Sequence, residues 1–187
     1  MLLHRLTINA RRNQPFGLIF LASTQAYGRR GSVRLIYASS CFYLLLIIFR
    51  LAPTFETASE DAKQEWISLN SFSARLLNVG LLGSTNIPMW VLRDALEEDI
   101  SFEPARATVV AAAAEWILHA RNTLFTRVSK EPANPDTLQA TAQGPLYEGK
   151  AGFPLERWIF WKRRFREISD DLKEPVKQAA IKAAEIM

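Results

Sequence analysis

Few side chains in this sequence have the types and spacings that catalysis or metal binding needs. Glu115 and His119 lie four residues apart, on one face of a regular helix, and could form half of a metal site. A di-iron bundle needs repeated Glu-x-x-His pairs and a zincin needs a second helical histidine, and the sequence contains neither. The other histidine, His4, lies near the N-terminus and is no credible base for a serine. We therefore predict no catalytic residue, no metal site and no cofactor.

Two arginines, Arg75 and Arg93, interrupt apolar helical runs that read FSARLL and VLRDAL. A half-buried arginine needs a partner, and the candidate carboxylates are Asp94, Glu97, Glu115 and Glu156. The favoured interpretation is an ion pair that fixes the helix register. The alternative is a small-ligand or enzyme pocket in which Arg75 or Arg93 holds an acidic group. Its walls would be Trp66, Trp90, Trp116 and Trp158.

The segment WIFWKRRFR at residues 158–166 could bind nucleic acid, because aromatic rings stack on bases and basic groups contact phosphates. A helix with Trp158 and Phe165 facing inward explains the same residues. The i,i+4 pair Arg163–Glu167 would also neutralise part of the basic charge. We predict that nucleic acid is not a partner.

The charge of the chain is divided between two regions. The 187 residues are enough for one domain with a sizeable core. Residues 1–55 carry seven arginines and no acidic residue, whereas residues 56–187 carry 16 basic and 19 acidic side chains. The body is therefore mildly acidic, although the whole chain has a formal charge of +4. The single cysteine, Cys41, excludes an intramolecular disulfide framework.

The N-terminal arm, residues 1–55, has three open interpretations. It resembles a mitochondrial targeting segment, since it is rich in arginine and free of acids. It could contain a membrane anchor, because Leu35–Phe49 is an uncharged run; as a helix this run spans only about 22 Å, against roughly 30 Å of hydrocarbon. It could also be a buried helix, or sequence that adds nothing to the fold, as a gene-model artefact would. We expect a cytoplasmic protein, or a membrane-anchored or mitochondrial one if the arm is real.

The body, residues 56–187, has the apolar spacing of helices and not of strands. Helices are predicted at about 58–79, from Asn86, from Ser101 to about Val128, from Pro154, and after Ser169-Asp170-Asp171. Prolines and glycines predict a loop at 130–153. The expected fold class is all-α, a compact bundle of about five helices in residues 57–187.

The spacing also predicts which faces of the helices point inward. For the first helix they are Trp66, Leu69, Phe72, Leu76 and Val79. For the third they include Val109, Val110, Ala113, Trp116, Ile117, Ala120 and Leu124. For the fourth they are Leu155, Trp158, Ile159, Phe165 and Ile168.

Several phrases resemble a fungal family of uncharacterised helical proteins, the domain of unknown function three-six-three-two. They are LNSFSARL at 69–76, LRDALE at 92–97, AAAEWILHA at 112–120, and GPLYEGKAGF at 144–153 followed by ERWIFWKRRFREIS. The resemblance covers about 60–187 and implies an all-helical fold. The family has no assigned activity, so no functional residue is carried over.

These observations predict a non-catalytic protein-interaction module that binds a protein partner, or itself, through its aromatic-rich helices. Five Trp and 11 Phe occur beside no catalytic set. The alternatives are the ligand pocket described above and a membrane-tethered helical protein anchored through Leu35–Phe49.

Overall fold

The computed structural model describes residues 58–83, 86–100, 103–128 and 141–187, and every regular element within these ranges is an α-helix. The helices are α1 (Glu60–Asn78), α2 (Asn86–Leu96), α3 (Glu103–Val128), α4 (Leu155–Ser169) and α5 (Val176–Ile186). The prediction of an all-α bundle of about five helices is confirmed. Pro88 lies in the first turn of α2, where its missing N–H group costs no hydrogen bond.

The long helix α3 is the centre of the bundle. It packs against α1, α2 and α5, while α4 contacts α2 and α5. Its middle turns are almost entirely removed from solvent, and Val110, Ala112, Ala113, Ala114, Trp116, Ile117 and Ala120 have no exposed surface. A helix that is apolar around most of its circumference is buried on most sides, and its alanines let neighbouring helices approach closely.

Helix α1 begins where the Ser59 hydroxyl accepts a hydrogen bond from the Ala62 N–H group at 3.2 Å. It buries Trp66, Asn70, Ser73, Ala74 and Leu77. The predicted inner stripe is therefore wrong for two of its five residues, since Phe72 is 51% exposed and Val79 is 66% exposed, whereas Trp66 is buried as predicted. Two polar residues, Asn70 and Ser73, occupy the true inner face and conceal its periodicity.

Helix α4 also differs from its predicted orientation. Trp158, Phe165 and Ile168 are buried as expected, but Leu155 and Ile159 are exposed. The positions that point inward instead are Arg157 and Trp161, each fully buried. The helix is rotated because both of these side chains bind the same carboxylate, which is described below.

The N-terminal arm and residues 130–140 of the predicted loop lie outside the described residues. So does Leu35–Phe49, on which the membrane-anchor prediction rests. Within the described ranges, none of the helices is long and apolar enough to cross a membrane.

Candidate functional site

The two arginines for which the sequence favoured an ion pair, with a ligand contact as the alternative, both contact neighbouring side chains. Arg93 donates to Asp94 Oδ1 from both Nε, at 3.0 Å, and Nη2, at 2.9 Å. Arg75 lies at the surface of α1, with its Nη2 atom 3.3 Å from His119 Nε2 on α3. The structure therefore places Arg93 in an ion pair with one of its predicted partners, and Arg75 beside a histidine.

The predicted tryptophans lie at different helix interfaces. Trp66 and Trp116 are buried between α1 and α3 and are linked through Asn70. The Asn70 side chain donates to the Trp66 carbonyl and accepts from Trp116 Nε1, both at 2.8 Å. Trp158 is buried on α4, with its ring centroid 5.5 Å from that of Phe125 on α3. Trp90 is half-buried on α2. A pocket that these residues share stays a prediction.

Glu115 and His119 do meet on one face of α3, as their spacing predicted. Glu115 Oε2 lies 3.1 Å from His119 Nε2, the same nitrogen that faces Arg75. One ring nitrogen can either donate to the carboxylate or accept from the guanidinium, so the tautomer decides which contact is a hydrogen bond. No group of three or more metal-ligating side chains occurs among the residues that the structure describes.

The most organised polar cluster in the described part of the chain is a buried ion pair between Glu97 and Arg157. Glu97 directly follows α2 and extends its hydrogen-bond pattern, since its N–H group donates to the Arg93 carbonyl at 2.8 Å. Arg157 lies in the first turn of α4. Arg157 Nε donates to Glu97 Oε1 at 2.6 Å and Nη2 donates to Oε2 at 2.9 Å. Both side chains have 0% exposure, which makes this a dry, bidentate pair.

The remaining donors of Arg157 bind the loop that precedes α4. Nη1 donates to the carbonyl of Thr141 at 2.7 Å and to that of Gly152 at 2.9 Å. Nη2 also donates to the carbonyl of Ala142 at 3.1 Å. All five N–H donors of the guanidinium therefore have acceptors.

The carboxylate of Glu97 is equally well satisfied. Oε1 accepts a second hydrogen bond from Trp161 Nε1 at 2.6 Å, and Oε2 accepts one from the Gly144 N–H group at 2.7 Å. Each oxygen thus accepts two hydrogen bonds. A general acid or base needs a free lone pair or proton that points at a substrate, and this cluster has neither. Its geometry is that of a structural lock, which we call the Glu97–Arg157 lock.

The glycines of the loop are explained by this lock. A Cβ atom on Gly144 would lie 2.7 Å from Glu97 Cβ and 2.9 Å from the Glu97 carbonyl oxygen, closer than packed atoms approach. Gly152 has φ +90°, a conformation that other residues adopt only with strain. The motif GPLYEGKAGF thus gives the loop the shape that wraps the ion pair.

Aromatic rings enclose the guanidinium. Arg157 Cζ lies 5.4 Å from the ring centroids of both Tyr147 and Trp161, within the range of a cation–π contact. The Tyr147 hydroxyl is buried without a hydrogen-bond partner among the described residues. Burial raises the pKa of this phenol above its ordinary value, although the positive charge of Arg157 acts in the opposite direction.

Our reading of the sequence missed Arg157, although it named Glu97 as a possible partner for an arginine. The segment 157–166 carries four arginines, and a surface role is the usual expectation for each. The sequence signal that could have identified Arg157 is its spacing. Arg157, Trp161, Phe165 and Ile168 recur at intervals of three or four residues and therefore lie on one face of the helix.

The outer face of α4 combines exposed apolar and basic residues. Leu155 and Ile159 are 52% and 58% exposed and lie one turn apart. Lys162 and Arg166 continue the same face toward the C-terminal end of the helix. We call these four residues the α4 outer face.

The comparisons with known proteins give a family but no named relative. Residues 31–165 match a family described as "Protein of unknown function (DUF3632)". The match starts inside the N-terminal arm and includes Leu35–Phe49, whereas the resemblance in the sequence was placed at about 60–187. The search of curated proteins and the search of solved structures each found no match.

Proposed function

Because the chain belongs to the DUF3632 family of proteins of unknown function, we propose its role from its own geometry, as a non-catalytic protein-interaction module. Its partner segment is a helix that carries apolar and acidic residues, and its binding surface is the α4 outer face. The observation that carries the proposal is the continuity of exposed apolar and unpaired basic side chains along one helix face.

The apolar half of the surface would bind the apolar residues of the partner. Leu155 and Ile159 flank Trp158 in the sequence, and Trp158 packs edge-on against Phe125, which is itself 44% exposed. Burying these three exposed side chains against a partner would contribute most of the binding free energy. A helix that places apolar residues at i and i+4 matches the spacing of Leu155 and Ile159.

The basic half of the surface would select acidic partners. Within the described residues, neither Lys162 nor Arg166 forms an ion pair with a carboxylate. The neighbouring Arg163 does pair with Glu167, at 3.3 Å, but its side chain is 66% exposed and the pair is weak in water. Carboxylates on a partner would therefore meet cations that are still available, which raises the association rate and fixes the orientation.

A protein partner fits this surface better than nucleic acid does. Residues 56–187 carry more acidic than basic side chains, so the field around the bundle repels a polyanion. The basic part of the face spans little more than one helical turn, too short to follow a phosphate backbone.

The proposal is tested by selecting binders of the full-length protein from a displayed library of 20-residue helical peptides. We expect selected peptides to carry apolar residues one turn apart, followed by Asp or Glu. The Ile159→Asp variant should weaken their binding by about tenfold or more, because it places a charge in the apolar half. The Lys162→Glu/Arg166→Glu variant should weaken it by a similar factor and change the salt dependence.

The matched control is Lys173→Glu/Lys182→Glu, which makes the same change in charge at exposed positions away from α4. It should leave the affinity within about twofold. The proposal would be contradicted if the selected peptides carried no acidic residues. It would also be contradicted if they bound the Ile159→Asp variant with the same affinity as the unchanged protein. Competition by a 20-base-pair DNA duplex at physiological salt would show that the face binds polyanions instead.

A further inference from the structure

Helix α1 has a second apolar stripe, on the side opposite to its buried face. Phe72 and Val79 are 51% and 66% exposed, and Leu69 and Leu76 on the same stripe are half-buried. These four positions follow the i, i+3, i+7 and i+10 spacing of one helix face. We call them the α1 outer stripe. The inner face already packs against α3, so the outer stripe is an additional apolar surface.

One end of the α1 outer stripe carries negative charge. Glu65 and Asp61 lie on the same face, one and two turns before Leu69 respectively, and both are exposed. Gln64 and Ser68, which are also exposed, lie beside these carboxylates at this end of the helix. The surface thus starts with two carboxylates and continues as an apolar strip toward Val79.

We propose that the α1 outer stripe is the docking surface for residues 35–49 of the same chain. This run has no charged residue and is bracketed by Arg34 and Arg50. As a helix it would be about 22 Å long, which fits within the roughly 28 Å of the 19-residue α1. The apolar strip on α1 and the apolar run in the arm are similar in length, so packing one on the other would remove both from water.

The length of the connection to α1 favours one direction for the docked segment. Residues 50–59 connect the run to α1 and can span up to about 33 Å, enough for the chain to reverse. In an antiparallel arrangement Arg50 lies at the end of α1 that carries Asp61 and Glu65. A parallel arrangement would place Arg34 there instead, but residues 50–59 would then have to run back along the roughly 28 Å of α1 almost fully extended.

The extent of the family match also supports residues 35–49 as the segment that covers the α1 outer stripe. The matched region starts at residue 31 and runs through α1, α2 and α3. The apolar run and the outer stripe are therefore parts of one family unit. This inference concerns α1 and is independent of the role proposed for the α4 outer face.

The single cysteine, Cys41, reports on docking, because it lies near the middle of the run. In the full-length protein without detergent, we expect slow labelling of Cys41 by a maleimide. The Phe72→Asp variant should raise the labelling rate by about tenfold or more, because a charge in the stripe releases the segment. The matched control is Leu155→Asp, which makes a similar change at a residue of nearly equal exposure on α4. It should leave the rate within about twofold.

Disulfide formation with introduced cysteines shows whether residues 35–49 lie on the α1 outer stripe. In the antiparallel register Cys41 lies level with the middle of α1, so Leu69→Cys or Phe72→Cys should form an intramolecular disulfide with it under mild oxidation. Lys182→Cys, an exposed position on α5, should not. Mass spectrometry of unreduced peptides from the monomer reads out the bond.

Three results would overturn the inference. The first is equal labelling of Cys41 in the unchanged protein and the Phe72→Asp variant. The second is the lack of an intramolecular disulfide in both cysteine variants, including the case in which disulfides join only two chains and a second copy covers the stripe. The third is protection of Cys41 that arises only after phosphatidylcholine vesicles are added, which would make the run a membrane anchor.

Discussion

Glu97 and Arg157 are 60 residues apart in the chain and form a bidentate, fully buried ion pair that joins the end of α2 to the start of α4. The pair also fixes the intervening loop, because Arg157 binds the carbonyls of Thr141, Ala142 and Gly152. Buried charges are costly to desolvate, and good geometry with full hydrogen bonding is what offsets that cost. The lock therefore connects three segments, which are the end of α2, the loop and the start of α4.

Removing one member of the lock should destabilise the bundle strongly. We expect Arg157→Met to lower the free energy of unfolding by about 3–5 kcal/mol, because Glu97 would keep a buried charge without its cation. Urea unfolding of the full-length protein, followed by circular dichroism, measures the change. Arg163→Met is the matched control; its exposed pair with Glu167 should contribute less than about 1 kcal/mol. Equal effects of the two variants would contradict the assignment of the lock.

Replacing both members by apolar residues should not restore stability. Some buried ion pairs can be exchanged for hydrophobic residues without loss. Here the Glu97→Met/Arg157→Met variant would also leave three loop carbonyls, the Gly144 N–H group and Trp161 Nε1 without partners, each at a cost of about 1–3 kcal/mol if it stays buried. We expect the double variant to be about as unstable as Arg157→Met alone. A double variant near the stability of the unchanged protein would show that the loop carbonyls find other donors.

The loop glycines provide a separate test of the same geometry. We expect Gly144→Ala to lower the free energy of unfolding by about 1–3 kcal/mol, since its Cβ would overlap Glu97 Cβ and the Glu97 carbonyl oxygen. The control is Gly83→Ala, where an added Cβ meets nothing within 4 Å. That change should be neutral or stabilising by up to about 1 kcal/mol. If the two variants unfold at the same urea concentration, the close approach of the loop to Glu97 is wrong.

The buried amide of Asn70 should be as important as an apolar core residue. Asn70→Leu would leave Trp116 Nε1 buried without an acceptor and the Trp66 carbonyl without its side-chain donor. We expect a loss of about 1–3 kcal/mol in the free energy of unfolding. Asn78→Leu, at an exposed position of the same helix, is the control and should change stability by less than about 0.5 kcal/mol. A tolerated Asn70→Leu would mean that the Trp116 indole finds another acceptor.

The helices could be predicted from the sequence, whereas the faces that they bury could not be predicted throughout. Pro88 indicates the start of α2 because a proline in the first turn costs no backbone hydrogen bond, which is local chemistry. The inner face of α1 was missed because Asn70 and Ser73 are polar, and their burial depends on partners on other helices. Arg157 was missed for the same reason, since its acceptors lie in a loop and 60 residues away at Glu97.

The Tyr147 hydroxyl gives the lock a predicted dependence on alkaline pH. Burial raises the pKa of this phenol in the folded protein, while the unfolded chain releases the proton near the ordinary value of about 10. Below about pH 9 Tyr147 is protonated in both the folded and the unfolded state, so it adds no pH dependence to the free energy of unfolding. As the pH rises through about 10, the unfolded state loses its proton first, so the free energy of unfolding falls. The largest slope that one proton can give is about 1.4 kcal/mol per pH unit.

Tyr147→Phe should remove this contribution. At neutral pH we expect the variant to be within about 1 kcal/mol of the unchanged protein, because the deleted hydroxyl is buried without a partner among the described residues. Between about pH 9 and pH 11 the variant should become progressively more stable than the unchanged protein, since only the latter can gain from ionisation of Tyr147 on unfolding. Phe153→Leu, the control, alters a ring that packs on Trp161, at a centroid distance of 5.9 Å, and removes no titratable group. Its effect should be the same at every pH. Parallel stability curves for Tyr147→Phe and the unchanged protein would show that the phenol ionises as readily in the folded state as in the unfolded chain.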